Sequence, residues 1–268
     1  MTKTRSRTVG VMLTLCLLLS TSMAQRFGAP RFGGFGTSEI PSDWFAPDAQ
    51  GEFHFARLVY SGWGGGRRRG GSWATDYPDA EYHFMQGVRR LTSIDSARGG
   101  KTFRADDDDL FNYPWLYAVE VGRWDVSEED GERLREYLLR GGFLVVDDFH
   151  GTYQWAAFLE GIRKVFPDRP IIEIGEDDPL LHVLYDLDQR SQIPGISYVY
   201  SGATYQRDGY KPYWRGIYDD EGRLMVAINF NMDLGDAWEH ADTPEYPERM
   251  TALAYRFGIN YVIYSMTH

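Results

Sequence analysis

The sequence predicts an α/β domain: a doubly wound, mainly parallel sheet with helices on both faces and an antiparallel hairpin added. Three observations carry this. Apolar runs that read as strands alternate with segments of helical period over residues 52–174. The run Phe143-Leu144-Val145-Val146 is apolar without alternation, as a strand buried on both faces should be. Farther along, Gly216-Ile217-Tyr218 and Arg223 to Ile228 flank Asp219-Asp220-Glu221-Gly222, a turn that suits a hairpin.

Residues 1–24 read as a signal peptide. Lys3, Arg5 and Arg7 make a basic start, Val9 to Leu19 an apolar core, and Ser22-Met23-Ala24 a small-residue cleavage site before Gln25. The expectation is export to the periplasm or beyond, with no membrane insertion after cleavage. The single cysteine, Cys16, falls inside this segment. The mature chain would then be cysteine-free, with no disulfide, thiolate nucleophile or cysteine-ligated metal. Net charge is −11, and residues 1–24 hold basic but no acidic residues, so the remainder is more acidic still. That argues against nucleic acid and anionic membrane surfaces as partners.

Residues 25–51 mix Gly, Phe and Pro without period and read as a disordered linker. Residues 52–268 form the α/β domain. Phe53 to Tyr60 is its first strand, followed by a Gly/Arg loop that holds Arg67-Arg68-Arg69. Asp76 or Tyr77 opens a helix with Pro78 in its first turn and Ala80, Phe84, Val88 and Leu91 as its apolar stripe. Trp115 to Val119 reads as a buried strand ending near Glu120.

Ser127-x-x-Asp130 resembles a capping box. The helix it opens turns Leu134, Tyr137 and Leu138 inward and ends at Gly141-Gly142, where a left-handed C-cap is allowed. The strand Phe143 to Val146 follows, then a helix from about Tyr153 to Phe166 with Phe158, Leu159, Ile162 and Val165 inward. Ile171 to Ile174 is the next strand. A closing helix from about Pro247 to Tyr264 carries Leu253, Phe257 and Val262.

Ligands of open α/β sheets bind beyond the carboxyl ends of the strands. Asp147, Asp148 and His150 stand there, after the most apolar strand, and are the catalytic candidates. Two carboxylates and an imidazole suit acid–base work or a metal. The competing reading makes Asp148 a helix cap and Asp147 half of an ion pair.

A second group runs from Asn229 to His240. Asn231, Asp233 and Gly235, with Trp238 and Glu239, are candidate ligand-binding residues. Asn229, Asn231 and Asp233 are candidate metal ligands, because oxygen donors at alternate positions share one side of an extended segment. The competing reading is a strand exit with Asx turns. Ser61, Gly62 and Trp63 open the loop after the first strand and complete the candidate cleft. That loop lacks the spacing of a nucleotide-binding motif. Asp106 to Asp109 reads as a solvated turn, and no G-x-S-x-G, H-E-x-x-H or paired-cysteine motif occurs. Aromatics reach 15%, with Tyr198, Tyr200, Tyr205, Tyr210, Tyr213 and Trp214 in one region able to stack on sugars or to edge the core.

The combination of Ala56-Arg57-Leu58-Val59-Tyr60, Tyr113-Pro114-Trp115-Leu116-Tyr117, Leu138 to Leu144, Asp147-Asp148, and Asn231-Met232-Asp233-Leu234-Gly235 with Trp238-Glu239 resembles the DUF4159 family of exported bacterial proteins. The resemblance runs from about residue 53 to residue 264. It implies a flavodoxin-like, class I glutamine amidotransferase-like fold. In catalytic amidotransferases a cysteine stands at the turn that corresponds here to Asp147 to Gly151. Without it, cysteine-dependent amidotransfer is excluded.

The leading expectation is therefore a domain that binds a small polar ligand, such as a polyol, glycan fragment or cation, or an envelope partner protein. The alternative is a carboxylate- or metal-dependent hydrolase of envelope or polysaccharide material. A purely structural envelope component is the third reading. No cofactor is predicted, and a divalent cation is the one compatible with these donors.

Overall fold

The strand Phe143–Phe149 is buried at every position and lies at the centre of the sheet, which explains why its sequence shows no alternation. A computed structural model of the protein describes residues 40, 41, 44, 51–62 and 72–268. The expected signal peptide, most of the linker, Trp63 and Arg67 to Arg69 lie outside the described residues.

In chain order the elements are β1 (Ala56–Leu58), β2 (Ser61–Gly62), α1 (Asp79–Leu91), β3 (Lys101–Phe103), β4 (Trp115–Val119), β5 (Trp124–Asp125), α2 (Glu128–Leu139), β6 (Phe143–Phe149), α3 (Gly151–Val165), β7 (Ile172–Glu173), α4 (Ser197–Ser201), β8 (Tyr213–Tyr218), β9 (Leu224–Phe230), α5 (Leu234–Glu239) and α6 (Glu248–Thr267). The main sheet has the order β3-β1-β4-β6-β9-β8-β7. Its pairings from β3 through β9 are parallel, and β9–β8 and β8–β7 are antiparallel. Strands β2 and β5 form a separate antiparallel pair. The α/β class and the hairpin are as the sequence implies, and the order is consistent with a flavodoxin-like fold.

Helices cover both faces. On one face Phe143 packs on Tyr261 and Tyr264 of α6, and Trp115 on Phe84 of α1. On the other, Phe149 packs on Trp155 and Phe158 of α3. Phe84 and Trp238 meet at 4.4 Å between ring centroids, joining α1 to α5 in the first layer. Each fully buried large apolar side chain contributes about 1.5–3 kcal/mol, so these aromatics dominate the fit of helices to sheet.

Helix ends follow local chemistry. Ser127 caps α2 by accepting the Asp130 N–H at 3.0 Å. Gly141 takes φ +110° just past its end, where a side chain would be strained.

Several elements differ from expectation. β6 runs two carboxylates farther than its apolar run, through Asp147 and Asp148 to Phe149, with a register irregularity against β9 between Val146 and Phe149. Side chains along the extended part are buried, so polarity alone marked the strand's end too early. The strand expected over Ile171 to Ile174 is shorter, Ile172–Glu173, and is an exposed antiparallel edge strand. β3 has no apolar pattern because it lies at the sheet edge. α1 begins at Asp79, with Pro78 before it, and Leu91 at its end is exposed. α3 begins at Gly151, two residues earlier than its spacing predicts.

Candidate functional site

Three neighbouring parallel strands leave the sheet through left-handed residues that are not glycine. Glu120 follows β4 with φ 50°, Asp148 lies in β6 with φ 50°, and Asn231 follows β9 with φ 64°. Asp76, before α1, has φ 60°, and Arg207 has φ 54°. Among the described residues these five are the non-glycine positions of positive φ. Each such residue costs about 1–3 kcal/mol, and such strain clusters at functional sites. Asn and Asp tolerate this region best. The strained exits of β4, β6 and β9 fall at one carboxyl edge of the sheet, where ligands of open α/β folds bind.

The adjacent carboxylates of β6 divide their work. Asp147 lies opposite Val119 in the β4 register. Its Oδ2 accepts three hydrogen bonds, from Tyr117 Oη at 2.9 Å, Leu234 N at 2.7 Å and Gly235 N at 3.0 Å. It thus anchors the start of α5. Burial pushes its pKa up to about 7, against the lowering effect of those donors.

Asp148 points elsewhere. Its Oδ1 lies 3.0 Å from His150 Nε2. Burial, then the nearby Glu120, Asp236 and Asp147 carboxyls, hold its pKa well above the usual carboxylate range. His150 is driven the other way, down to about 3, by burial and then by the Arg207 charge. It is therefore a neutral imidazole. It is 2% exposed, and its Nδ1 has no hydrogen-bond partner.

α5 supplies the opposite wall. Asp233 caps it, its Oδ1 accepting the Asp236 N–H at 2.8 Å. Asp236 Oδ2 accepts the Ile196 N–H at 2.7 Å. Asp236, Glu239 and His240 follow at i, i+3 and i+4 and so share one helix face. The backbone at Gly195 presses on this wall. A Cβ there would lie 2.5 Å from Asp233 Oδ2 and 2.7 Å from Asp236 Oδ2, so only glycine fits.

Asp76 closes the group. It is 4% exposed, and its Oδ2 has no partner. Burial raises its pKa first, followed by the charges of Asp236, Glu239 and Asp148 and a hydrogen-bonding contact with the Glu239 carboxyl. Asp233 is raised in the same way, by burial and then by Asp148, Asp236, Asp76 and Asp147.

Ligand atoms converge in three overlapping sets: Asp148, His150 and Asp233; Asp76, Asp233 and Asp236; and Asp236, Glu239 and His240. Within each set the donor atoms lie within 4.8 Å of one another. Two ionised carboxylates about 4 Å apart repel by about 4 kcal/mol at an effective dielectric of 20. Such a group must hold protons or a cation. Carboxylate oxygens with an imidazole are the donors of Mg²⁺, Mn²⁺, Ca²⁺ or Zn²⁺ centres.

The residues singled out by sequence are distributed unevenly over this edge. Asp148, His150, Asp233 and Glu239 fall in the cluster. Asp147 serves α5. Asn229 Oδ1 accepts from the Tyr261 hydroxyl at 2.7 Å, inside the core. Asn231 accepts the Gly151 N–H at 2.8 Å and donates to the Lys211 carbonyl at 2.7 Å, tying β9 to α3. Gly235 gives its N–H to Asp147, and Trp238 is buried in the core. Ser61 and Gly62 are exposed in β2, paired with β5. Tyr200, Tyr205 and Tyr210 are exposed, whereas Trp214 is a core residue.

Asp76, Asp236 and His240 were not among the predicted site residues. For the last two, the helical i, i+4 spacing is the signal, hidden by reading the segment as extended. Asp76 reads as a helix start, and its burial depends on long-range packing.

No curated protein matches the sequence. A family model described as a domain of unknown function, DUF4159, matches residues 54–266, which run from before β1 to all but the last residue of α6 and include all of the clustered residues. The chain belongs to the DUF4159 family.

Proposed function

We propose that this domain binds a divalent cation at the carboxyl edge of its sheet, through Asp148, His150, Asp233, Asp236 and Asp76. The observation that carries this reading is the buried convergence of carboxyls around Asp233; Asp76 Oδ2 is among the buried side-chain atoms that no donor reaches. Proteins keep buried polar atoms paired unless a ligand, ion or water completes them. Asp147 and its three donors fix α5, and with it Asp236 and Glu239, before any ion arrives. Such preorganisation favours a specific ion site over a diffuse acidic surface.

A cation fits these residues better than a bare polyol or glycan, because it can replace the protons that otherwise relieve the carboxylate repulsion. Metal-dependent hydrolysis is the second reading. It is favoured by His150, a neutral imidazole held against Asp148 within the same cluster. The basic and apolar stretch from Lys3 to Ala24 supports export, so the ions met would be those outside the cytoplasm. No helix among the described residues is long and apolar enough to cross a membrane.

The test is thermal unfolding of chelator-treated protein with Mg²⁺, Ca²⁺, Mn²⁺ or Zn²⁺ added singly. A ligand at 100 times its Kd stabilises the native state by about 2.7 kcal/mol. A rise in Tm with at least one ion is expected, reduced by Asp233→Asn. Unchanged Tm with all four ions at millimolar concentration overturns the reading.

A further inference from the structure

We propose that the site holds two divalent cations, bridged by the carboxylate of Asp233. The inference rests on the cation reading and adds a stoichiometry and a geometry to it.

Two of the three donor sets share Asp233. One contains Asp148 and His150, the other Asp76 and Asp236. Each set carries its own buried, incomplete group: His150 Nδ1 in the first and Asp76 Oδ2 in the second. Both residues are more than nine-tenths buried. One ion cannot account for an unpartnered group in each of two sets that meet at a single residue.

Charge points the same way. Asp76, Asp148, Asp233, Asp236 and Glu239 bring five carboxyls together. Of the arginines near this edge, Arg207 bears on His150, and two others are already engaged. Arg57 is ion-paired with Glu81 and donates to the carbonyls of Trp73 and Thr75. Arg123 pairs with Glu120 at 3.2 Å. One divalent ion balances two carboxylates, whereas two ions balance four. Carboxylate-bridged ion pairs lie about 3.5–4 Å apart, which suits one Asp233 side chain serving both sets.

The third set does not add another ion. Asp236, Glu239 and His240 are only half-buried and contain no unpartnered buried atom. Donor chemistry also separates the two positions. The imidazole set favours Mn²⁺ or Zn²⁺, and the all-carboxylate set favours Mg²⁺, Ca²⁺ or Mn²⁺. Mn²⁺ suits both and is the probe.

The experiment is calorimetric titration of chelator-treated full-chain protein with Mn²⁺, with electron paramagnetic resonance of the loaded protein. Two ions per chain and a spin-coupled spectrum are expected. His150→Gln and Asp76→Asn should each retain one uncoupled ion. Asp233→Asn should remove the coupling. One ion per chain in the unmodified protein overturns the pair, and two ions without coupling overturn the bridge. No Mn²⁺ binding at all removes the cation reading itself. The unmodified protein decides each of these outcomes, so a variant that fails to fold does not obscure the result.

Discussion

Asp233 Oδ1 accepts the Asp236 backbone N–H at 2.8 Å, so the residue that caps α5 also joins the two buried donor sets. Capping needs an oxygen, whereas ion binding needs a charge, and the two roles separate by substitution. Asp233→Asn keeps an acceptor for the cap and removes one repelling charge. In chelator, its urea midpoint should equal or exceed that of the parent, while Mn²⁺ affinity falls at least tenfold. Asp233→Ala removes the cap too and should cost about 0.5–2 kcal/mol in the same denaturation.

The pH dependence of the metal-free protein has a definite sign. Asp147 titrates at about 7 when folded, against about 3.9 in an unfolded chain. Between those values the folded state holds a proton that the unfolded chain has released. Stability therefore falls as pH rises through this window. His150, lowered to about 3, acts in the opposite sense below 6.5 and roughly offsets Asp147. Asp76, Asp148 and Asp233 are all raised and leave the net slope negative. Urea midpoints in chelator should thus be higher at pH 5 than at pH 8, and His150→Gln should steepen the difference. A midpoint that climbs over this range would contradict the burial of these carboxyls.

Gly151 opens α3 with φ +76°, and a Cβ there would collide with Asp208 Oδ1. Asp208 cannot yield easily, because it accepts from both the backbone and the hydroxyl of Thr152, at 3.0 and 2.7 Å. Gly151→Ala should cost about 1–3 kcal/mol through strain and clash together. Gly175→Ala meets nothing within 4 Å and serves as the neutral control. Chemical denaturation of the pair checks both.

Arg57 on β1 is fully buried against Glu81 of α1, with Tyr117 beneath its guanidinium at 5.1 Å. Removing either partner leaves a buried, unpaired charge, at about 3–5 kcal/mol. Glu81→Gln and Arg57→Met should each destabilise by that amount. The combination Arg57→Met with Glu81→Met should recover most of the loss, giving a large coupling in a double-mutant cycle.

Much of the architecture was legible because burial writes itself into composition. Phe143 to Val146 had to be a central strand, and Ser127 with Asp130 had to begin a helix. The edge strands were harder to find. Lys101 to Phe103 and Ile172–Glu173 are held by backbone pairing at the sheet margins, where side chains carry little pattern.

The site was legible by region more than by residue. Asp148, His150, Asp233 and Glu239 stood out as polar groups after apolar strands. Asp76 did not, because nothing local announces that a residue before α1 will be buried against α5. Asn229 and Asn231 illustrate the converse. Their spacing suited a metal, yet Asn229 Oδ1 and both ends of the Asn231 amide are taken up by internal hydrogen bonds that only the folded chain defines.

The left-handed exits of β4, β6 and β9 have one more consequence. Glycine would enter that backbone region freely, so glycine at 148 would relieve strain of about 1–3 kcal/mol, whereas at 120 or 231 it would also give up the Arg123 ion pair or the two hydrogen bonds of Asn231. Selection for heat resistance alone should therefore drift toward glycine at 148, and that gain would erase a carboxyl from the sheet's edge. Were Asp148 a ligand of the proposed cation, the most thermostable sequence and the ion-binding one would be different sequences, and Asp148 is where they would part.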